Sequence, residues 1–134
     1  MTPVYSICIT NYNTEDSIEK SLNSIISQID DRFEIVIVDN CSTDSSKEIL
    51  NDYKSRYGIK LIIKKCSRGL GRQIALENAT GKYIIGQMDM DDVFKPNLIK
   101  LLQIYHNRFE NCLLVTSEVI MIAPKDLIIK LGGY

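Results

Sequence analysis

Phe33-Glu34-Ile35-Val36-Ile37-Val38-Asp39-Asn40-Cys41-Ser42-Thr43-Asp44 decides the fold class. Its first half is a continuous apolar, β-branched run, the pattern of a strand covered on both faces. The run stops in a polar turn. Ser45 to Tyr57 then places apolar residues at Ile49, Leu50 and Tyr53, a helical spacing that Gly58 closes. Strand, polar turn and helix make one unit of an α/β protein.

The unit recurs along the chain. Val4 to Thr10 reads as a strand, followed by a helix over Ser17 to Ile29 that buries Ile18, Leu22, Ile25, Ile26 and Ile29. Ile59 to Lys64 reads as a strand before a short helix over Arg72 to Ala79, closed by Gly81. Lys82 to Met88 is a fourth strand, and Pro96 opens a helix to about Phe109 that buries Leu98, Leu101, Leu102 and Tyr105. Cys112 to Ile122 reads as one last strand. The expectation is a single domain over residues 1–134, three-layer α/β/α around a mainly parallel sheet.

Composition narrows the function classes. With 134 residues, 45% hydrophobic and 25% charged, the chain builds one ordinary core. A formal net charge of −1 argues against nucleic acid or an anionic membrane as partner. No apolar run approaches the roughly 18–20 residues of a membrane span. Cys8, Cys41, Cys66 and Cys112 are scattered without zinc-ligand spacing and read as reduced thiols of a cytoplasmic protein. His106, the only histidine, reads as structural or surface.

Four polar segments follow the four strands. In open α/β sheets ligands gather beyond the carboxyl ends of strands, so the segments converge on one edge. Thr10-Asn11-Tyr12-Asn13 offers a rim hydroxyl and an aromatic ring, for stacking on a base or filling a loop pocket. Asp39 and Asn40 line the cleft and offer hydrogen bonds to a base edge, while Thr43 or Asp44 caps the next helix. Ser67-Arg68-Gly69-Leu70-Gly71-Arg72 joins two glycines to two guanidinium groups, either a phosphate-binding loop or a surface loop. Asp89-Met90-Asp91-Asp92 packs three carboxylates into four residues. They either form a solvated turn or bind a hard cation such as Mg²⁺ or Mn²⁺, an ion that commonly sits on a diphosphate.

Taken in order, these segments resemble the N-terminal part of glycosyltransferase family 2 enzymes. The matching stretches are Ser6 to Asn13, Ser24 to Gln28, Glu34 to Asp44, Gly71-Arg72-Gln73, Ala79 to Ile84 and Asp89 to Asp92. The resemblance implies a Rossmann-like GT-A fold and sugar transfer from a nucleotide-diphosphate donor to an acceptor hydroxyl, metal-dependent and inverting. By the same resemblance Thr10, Tyr12, Asp39, Asn40, Arg72 and Asp89 would bind the nucleotide-sugar. Asp89 and Asp91 look like the DxD motif, with Asp91 on the Mg²⁺ or Mn²⁺. A UDP-sugar is the favoured donor, although Asn40 stands where many members carry a second acid, and Gln73 replaces the usual asparagine.

The family's general base follows a segment like Lys125 to Tyr134, which places it beyond Tyr134 and leaves no catalytic base in this chain. A donor-binding or assembly module without turnover is therefore the alternative reading. A sugar-phosphate nucleotidyltransferase is a lesser one, because such enzymes carry a glycine-rich loop after the first strand and Thr10 to Asn13 has no glycine. The acceptor is open, with contact to a membrane face left to it or to further segments. An exposed edge strand or uncovered apolar face would make a second copy of the chain a partner.

Overall fold

A computed structural model describes residues 2–108, 114–115 and 121–133. The four expected parallel strands are present: β1 (Tyr5–Asn11), β2 (Phe33–Asp39), β3 (Lys60–Ile63) and β4 (Tyr83–Asp89). Helices α1 (Ile18–Ile26), α2 (Ser46–Tyr57) and α3 (Arg68–Asn78) connect them, and α4 (Leu98–Arg108) follows β4. The chain continues through β5 (Leu114–Val115), β6 (Met121–Pro124) and α5 (Lys125–Lys130). The sheet order is β3-β2-β1-β4-β6-β5, with β6 antiparallel to β4 and to β5.

The β-branched runs make this sheet because alternate residues feed two cores. Ile7, Ile9, Ile35 and Ile37 point to one face, packed by Ile18, Leu22 and Ile25 of α1, Leu50 and Tyr53 of α2, and Leu98, Ile99 and Leu102 of α4. Cys8, Val36 and Val38 point to the other, against Ile74, Ala75 and Leu76 of α3 and Ile128 of α5. This is the three-layer arrangement, and each fully buried Ile or Leu contributes roughly 1.5–3 kcal/mol.

One irregularity positions the site. Ile7 pairs with Ile85 but Ile9 pairs with Met88, so β4 carries one extra residue between Ile85 and Met88. Such a bulge reverses the inward and outward alternation beyond it. Met88 joins Ile85 on the α1 face instead of alternating away, and Asp89 comes to lie beside Thr10.

The structure corrects four expectations. The run from Cys112 to Ile122 does not make one strand: Leu114 pairs with Ile122 and Val115 with Met121, so the chain reverses. The polar pair Ser117-Glu118 falls between the two strands; Phe109, Cys112 and both of these lie outside the described residues. Helix α3 begins at Arg68 rather than Arg72, because Ser67 caps it by accepting a hydrogen bond from the Leu70 amide at 3.1 Å. On α4, Leu101 is exposed while Ile99 and His106 are buried. Residues 125–130 form α5, a helix the periodicity had not indicated.

Elsewhere most local signals act as read. Gly58 closes α2 in the left-handed conformation at φ 69°. The cap expected at Thr43 or Asp44 falls instead on Ser45, which makes no side-chain cap bond, while Asp44 accepts from the Ser46 amide at 2.8 Å. His106 packs edge-on to Tyr83, with ring centres 4.1 Å apart. Cys8, Cys41 and Cys66 are free thiols, and burial, followed by the charge of Glu34, pushes Cys8 up to about 12. Among the described residues no helix is long and apolar enough to cross a membrane.

Candidate functional site

A cleft of about 340 Å³ opens beyond the carboxyl ends of β1, β2 and β4, lined by Thr10, Asn11, Tyr12, Asn40, Cys66, Arg68, Gly71, Asp89 and Asp91 among others. It lies at the switch point, where β1 is flanked by β2 on one side and β4 on the other. Thr10, Tyr12, Asn40, Asp89 and Asp91, named from the sequence, thus meet around one space. Tyr12 is 53% exposed, an aromatic face open to solvent at the rim.

Asp39 does not line the cleft. It is fully buried below the loop, where Oδ1 accepts from Asn11 Nδ2 at 2.7 Å and Ser42 Oγ at 2.6 Å, and Oδ2 from the Ser42 amide at 2.9 Å. A carboxylate at the end of a buried strand requires such partners, since an uncompensated buried charge is costly. Asn40 is held by its neighbours too: its amide donates to the Asn11 carbonyl at 2.9 Å, and its Oδ1 accepts from the Cys66 amide at 2.8 Å. Asn40 therefore ties the loop after β2 to the loop after β3.

The acids after β4 divide into three environments. Asp89 Oδ1 accepts from Thr10 Oγ1 at 3.0 Å and lies 3.6 Å from Arg68 Nε and 3.7 Å from Arg72 Nη2. Asp92 closes the turn: its Oδ2 accepts from the Asp89 amide at 2.9 Å, and its own amide donates to the Asp89 carbonyl at 3.0 Å. Asp91, between them, is exposed, and its carboxylate has no hydrogen bond or ion pair among the described residues. No group of three His, Cys, Asp or Glu side chains is placed there to hold a metal among the described residues.

Two arginines face these acids. Arg68 lines the cleft with its side chain 70% exposed, a position that sequence reasoning gave only to its loop. Arg72 lies deeper, 27% exposed, and reaches the cleft through Asp89; its Nε is buried without a hydrogen-bond partner among the described residues. Gly71 sits against the strands, where a Cβ would come within 3.1 Å of Thr10 Cγ2 and 3.4 Å of Cys66 Sγ. Its missing side chain lets the first turn of α3 press on β1, which carries both guanidinium groups to the strand ends.

Asp126 is distant from this chemistry. Pro124 pairs with Tyr83 and the Lys125 amide donates to the Lys82 carbonyl, so Asp126 follows at the amino end of β4. Asp89 ends the same strand six residues on, roughly 20 Å away at about 3.3 Å per residue.

The profile of Glycosyl transferase family 2 matches residues 6–121. The poly(ribitol-phosphate) beta-glucosyltransferase of Bacillus spizizenii is 40% identical over 93 residues, 65% of this chain and 14% of that protein. The poly(ribitol-phosphate) beta-N-acetylglucosaminyltransferase TarS of Staphylococcus aureus is 33% identical over 101 residues, 72% of this chain and 18% of its own length. The crystal structure of S. aureus TarS residues 1–349 with UDP superposes with a TM-score of 0.81 at 21% identity, over 95% of this chain and 48% of that one. The mannosyltransferase PcManGT of Pyrobaculum calidifontis, with GDP-Man and Mn²⁺, gives 0.82 at 19% identity, over 100% of this chain and 48% of that one. The chain spans well under half the length of the curated relatives it matches. The family match over residues 6–121 and these superpositions agree: the chain belongs to glycosyl transferase family 2 and has the GT-A fold.

Proposed function

We propose that this chain carries the donor-binding half of a glycosyltransferase, taking a sugar from a nucleotide-diphosphate donor, with inversion, to an acceptor hydroxyl. The observation that carries it is the cleft floor: Asp89 bound by Thr10, two guanidinium groups beside it, and an open carboxylate at Asp91. Tyr12 and Asn40 lie on the β1 and β2 side, where a base and ribose fit, and Asp39 supports them from below through Asn11. Arg68 and Arg72 face the diphosphate, and their forked donors suit its oxygens.

A single open carboxylate fits a divalent cation shared with the donor. Mg²⁺ is commonly held by one or two carboxylates together with substrate phosphates, not by an all-protein cage. Asp91 would be its ligand with Asp89 alongside; Mg²⁺ or Mn²⁺ there would supply Lewis-acid stabilisation of the departing diphosphate. The chain's own contribution is to orient the diphosphate and to neutralise charge through Arg72. UDP-sugar is the donor favoured by the family resemblance, and the TarS complexes contain UDP and UDP-GlcNAc.

Asp126 favours a second reading. With that acid at the wrong end of the sheet, the described residues supply no acceptor-side base, and general-base help is typically worth 10²–10⁴-fold. The chain alone would then bind donor without turnover. Calorimetry and thermal shift with UDP, GDP, dTDP and CDP, each with and without Mn²⁺, test the donor site. Tight binding of one diphosphate only with Mn²⁺ supports it; a folded chain that binds none refutes it. Release of free sugar or transfer to an added acceptor would overturn the second reading.

A further inference from the structure

We propose that α1 is the positioning element for Asp91: Ser21, Ser24 and Gln28 clamp the backbone of residues 92–99 and so fix the carboxylate presented to a cation on a diphosphate. The proposal rests on the donor-site reading above and extends it to a helix that touches neither ligand.

Residues 92–97 form neither helix nor strand, so their backbone groups need partners from elsewhere. One stripe of α1 supplies them. Ser21 Oγ donates to the Asp92 carbonyl at 2.5 Å, and Ser24 Oγ accepts from the Phe94 amide at 3.0 Å. Gln28, just past the helix, donates from Nε2 to the Lys95 carbonyl at 2.9 Å, and its Oε1 accepts from the Ile99 amide at 3.1 Å. The three positions are spaced by three and four residues, one face of a helix. Their partners advance along the loop in the same order, so the helix acts as a ruler against which the loop is laid.

Asp91 is thereby held from both sides. Asp92 is pinned by Ser21 and closes the turn on Asp89, which Thr10 holds in turn. Phe94, 3% exposed, anchors the next step in the core. The clamp also leaves the charge of Asp91 intact, because every clamping group is neutral. Groups that orient a metal ligand typically change metal affinity by 10–100-fold when removed.

Gln28→Ala is the test and Asn23→Ala its control. Asn23 lies on the same helix, but its Oδ1 accepts from Tyr53 OH at 2.8 Å, a bond to α2 and not to the loop. The expected result in Gln28→Ala is Mn²⁺-dependent UDP or GDP binding about tenfold weaker, with metal-free nucleotide binding unchanged. Asn23→Ala should retain the full Mn²⁺ effect. Amide hydrogen exchange without ligand should speed at residues 91–99 in Gln28→Ala alone. An equal Mn²⁺ effect in both variants, or exchange in the loop unchanged or raised equally in both, overturns the proposal. If the unaltered chain binds no nucleoside diphosphate, the donor reading falls by itself, and the exchange contrast still decides whether α1 clamps the loop.

Discussion

The two ends of the sheet treat their acids in opposite ways. At the amino end, Glu34 accepts from Ser6 Oγ at 2.5 Å and from the Thr80 amide at 2.6 Å, and Lys60 Nζ lies 3.3 Å from its second oxygen. Lys125 Nζ adds a 2.6 Å bond to the Ala79 carbonyl, and the Gly81 amide donates to Ser6 Oγ at 2.8 Å. At the carboxyl end, Asp89 meets its arginines only at 3.6 and 3.7 Å, Asp91 has no partner among the described residues, and Arg72 Nε is buried without one. One sheet thus carries a closed end whose polar groups are fully paired and an open end where Asp91 and Arg72 Nε are left without partners among the described residues. Charge count alone does not separate them; bond completeness does.

The largest effect on this contrast is expected from Gly81→Ala. A Cβ there would lie 2.6 Å from Ser6 Oγ and 2.8 Å from backbone atoms of Ser6 and Tyr5, which cannot yield. Destabilisation of about 3 kcal/mol should appear in urea unfolding, and a loss under 1 kcal/mol would show that the closed end is loose. Asp91→Ala should behave inversely: Mn²⁺-dependent nucleotide binding lost in calorimetry, with stability within about 0.5 kcal/mol of the parent. Arg72→Ala should weaken diphosphate binding about tenfold, on the order of 1.5 kcal/mol for a charged hydrogen bond. Nucleoside binding should hardly change, and equal losses for both ligands would remove its phosphate role.

The smallest effect concerns Glu34 and pH. Burial alone would raise its carboxyl, but hydrogen bonds from Ser6 and Thr80 and the charge of Lys60 outweigh that and hold it below its ordinary 4.5. Because the folded state favours the ionised form, its contribution is present above 4.5 and is lost as pH falls through the lower folded value. Glu34→Gln should cost roughly 1 kcal/mol at neutral pH, and unfolding curves should show a shallower stability loss below pH 4.5 than in the parent. An unchanged acid slope would mean the closed end does not depend on that charge.

Buried strands were the easiest part to read, since Ile35 to Val38 and Ile7 to Ile9 must be covered on both faces to be stable. The cleft positions of Thr10, Tyr12, Asn40, Asp89 and Asp91 followed from strand ends, because the polar residues after such strands have one edge to occupy. What escaped depended on contacts far apart in sequence. Gly69 and Gly71 read as a loop because glycine disfavours helix, yet Gly71 is helical where the packing against Thr10 leaves no room for a side chain. Asp39 reads as a cleft residue from its place after a buried strand, but Asn11 and Ser42 enclose it. The stripe of Ser21, Ser24 and Gln28 carries no periodic apolar signal, and only the fold shows that it faces a loop some 70 residues later.

The extra residue in β4 decides which side chain stands beside Thr10. Were the bulge pulled flat with every residue kept, position 87 would pair with Ile9 and Met88 with Thr10, and a thioether would stand where a carboxylate now does. Removing one residue between Ile85 and Met88 instead leaves Met88 opposite Ile9 and Asp89 opposite Thr10, now in an unbroken ladder. A single-codon deletion there should therefore keep the acid in the cleft, so the strand absorbs a lost residue at the bulge and nowhere beyond it.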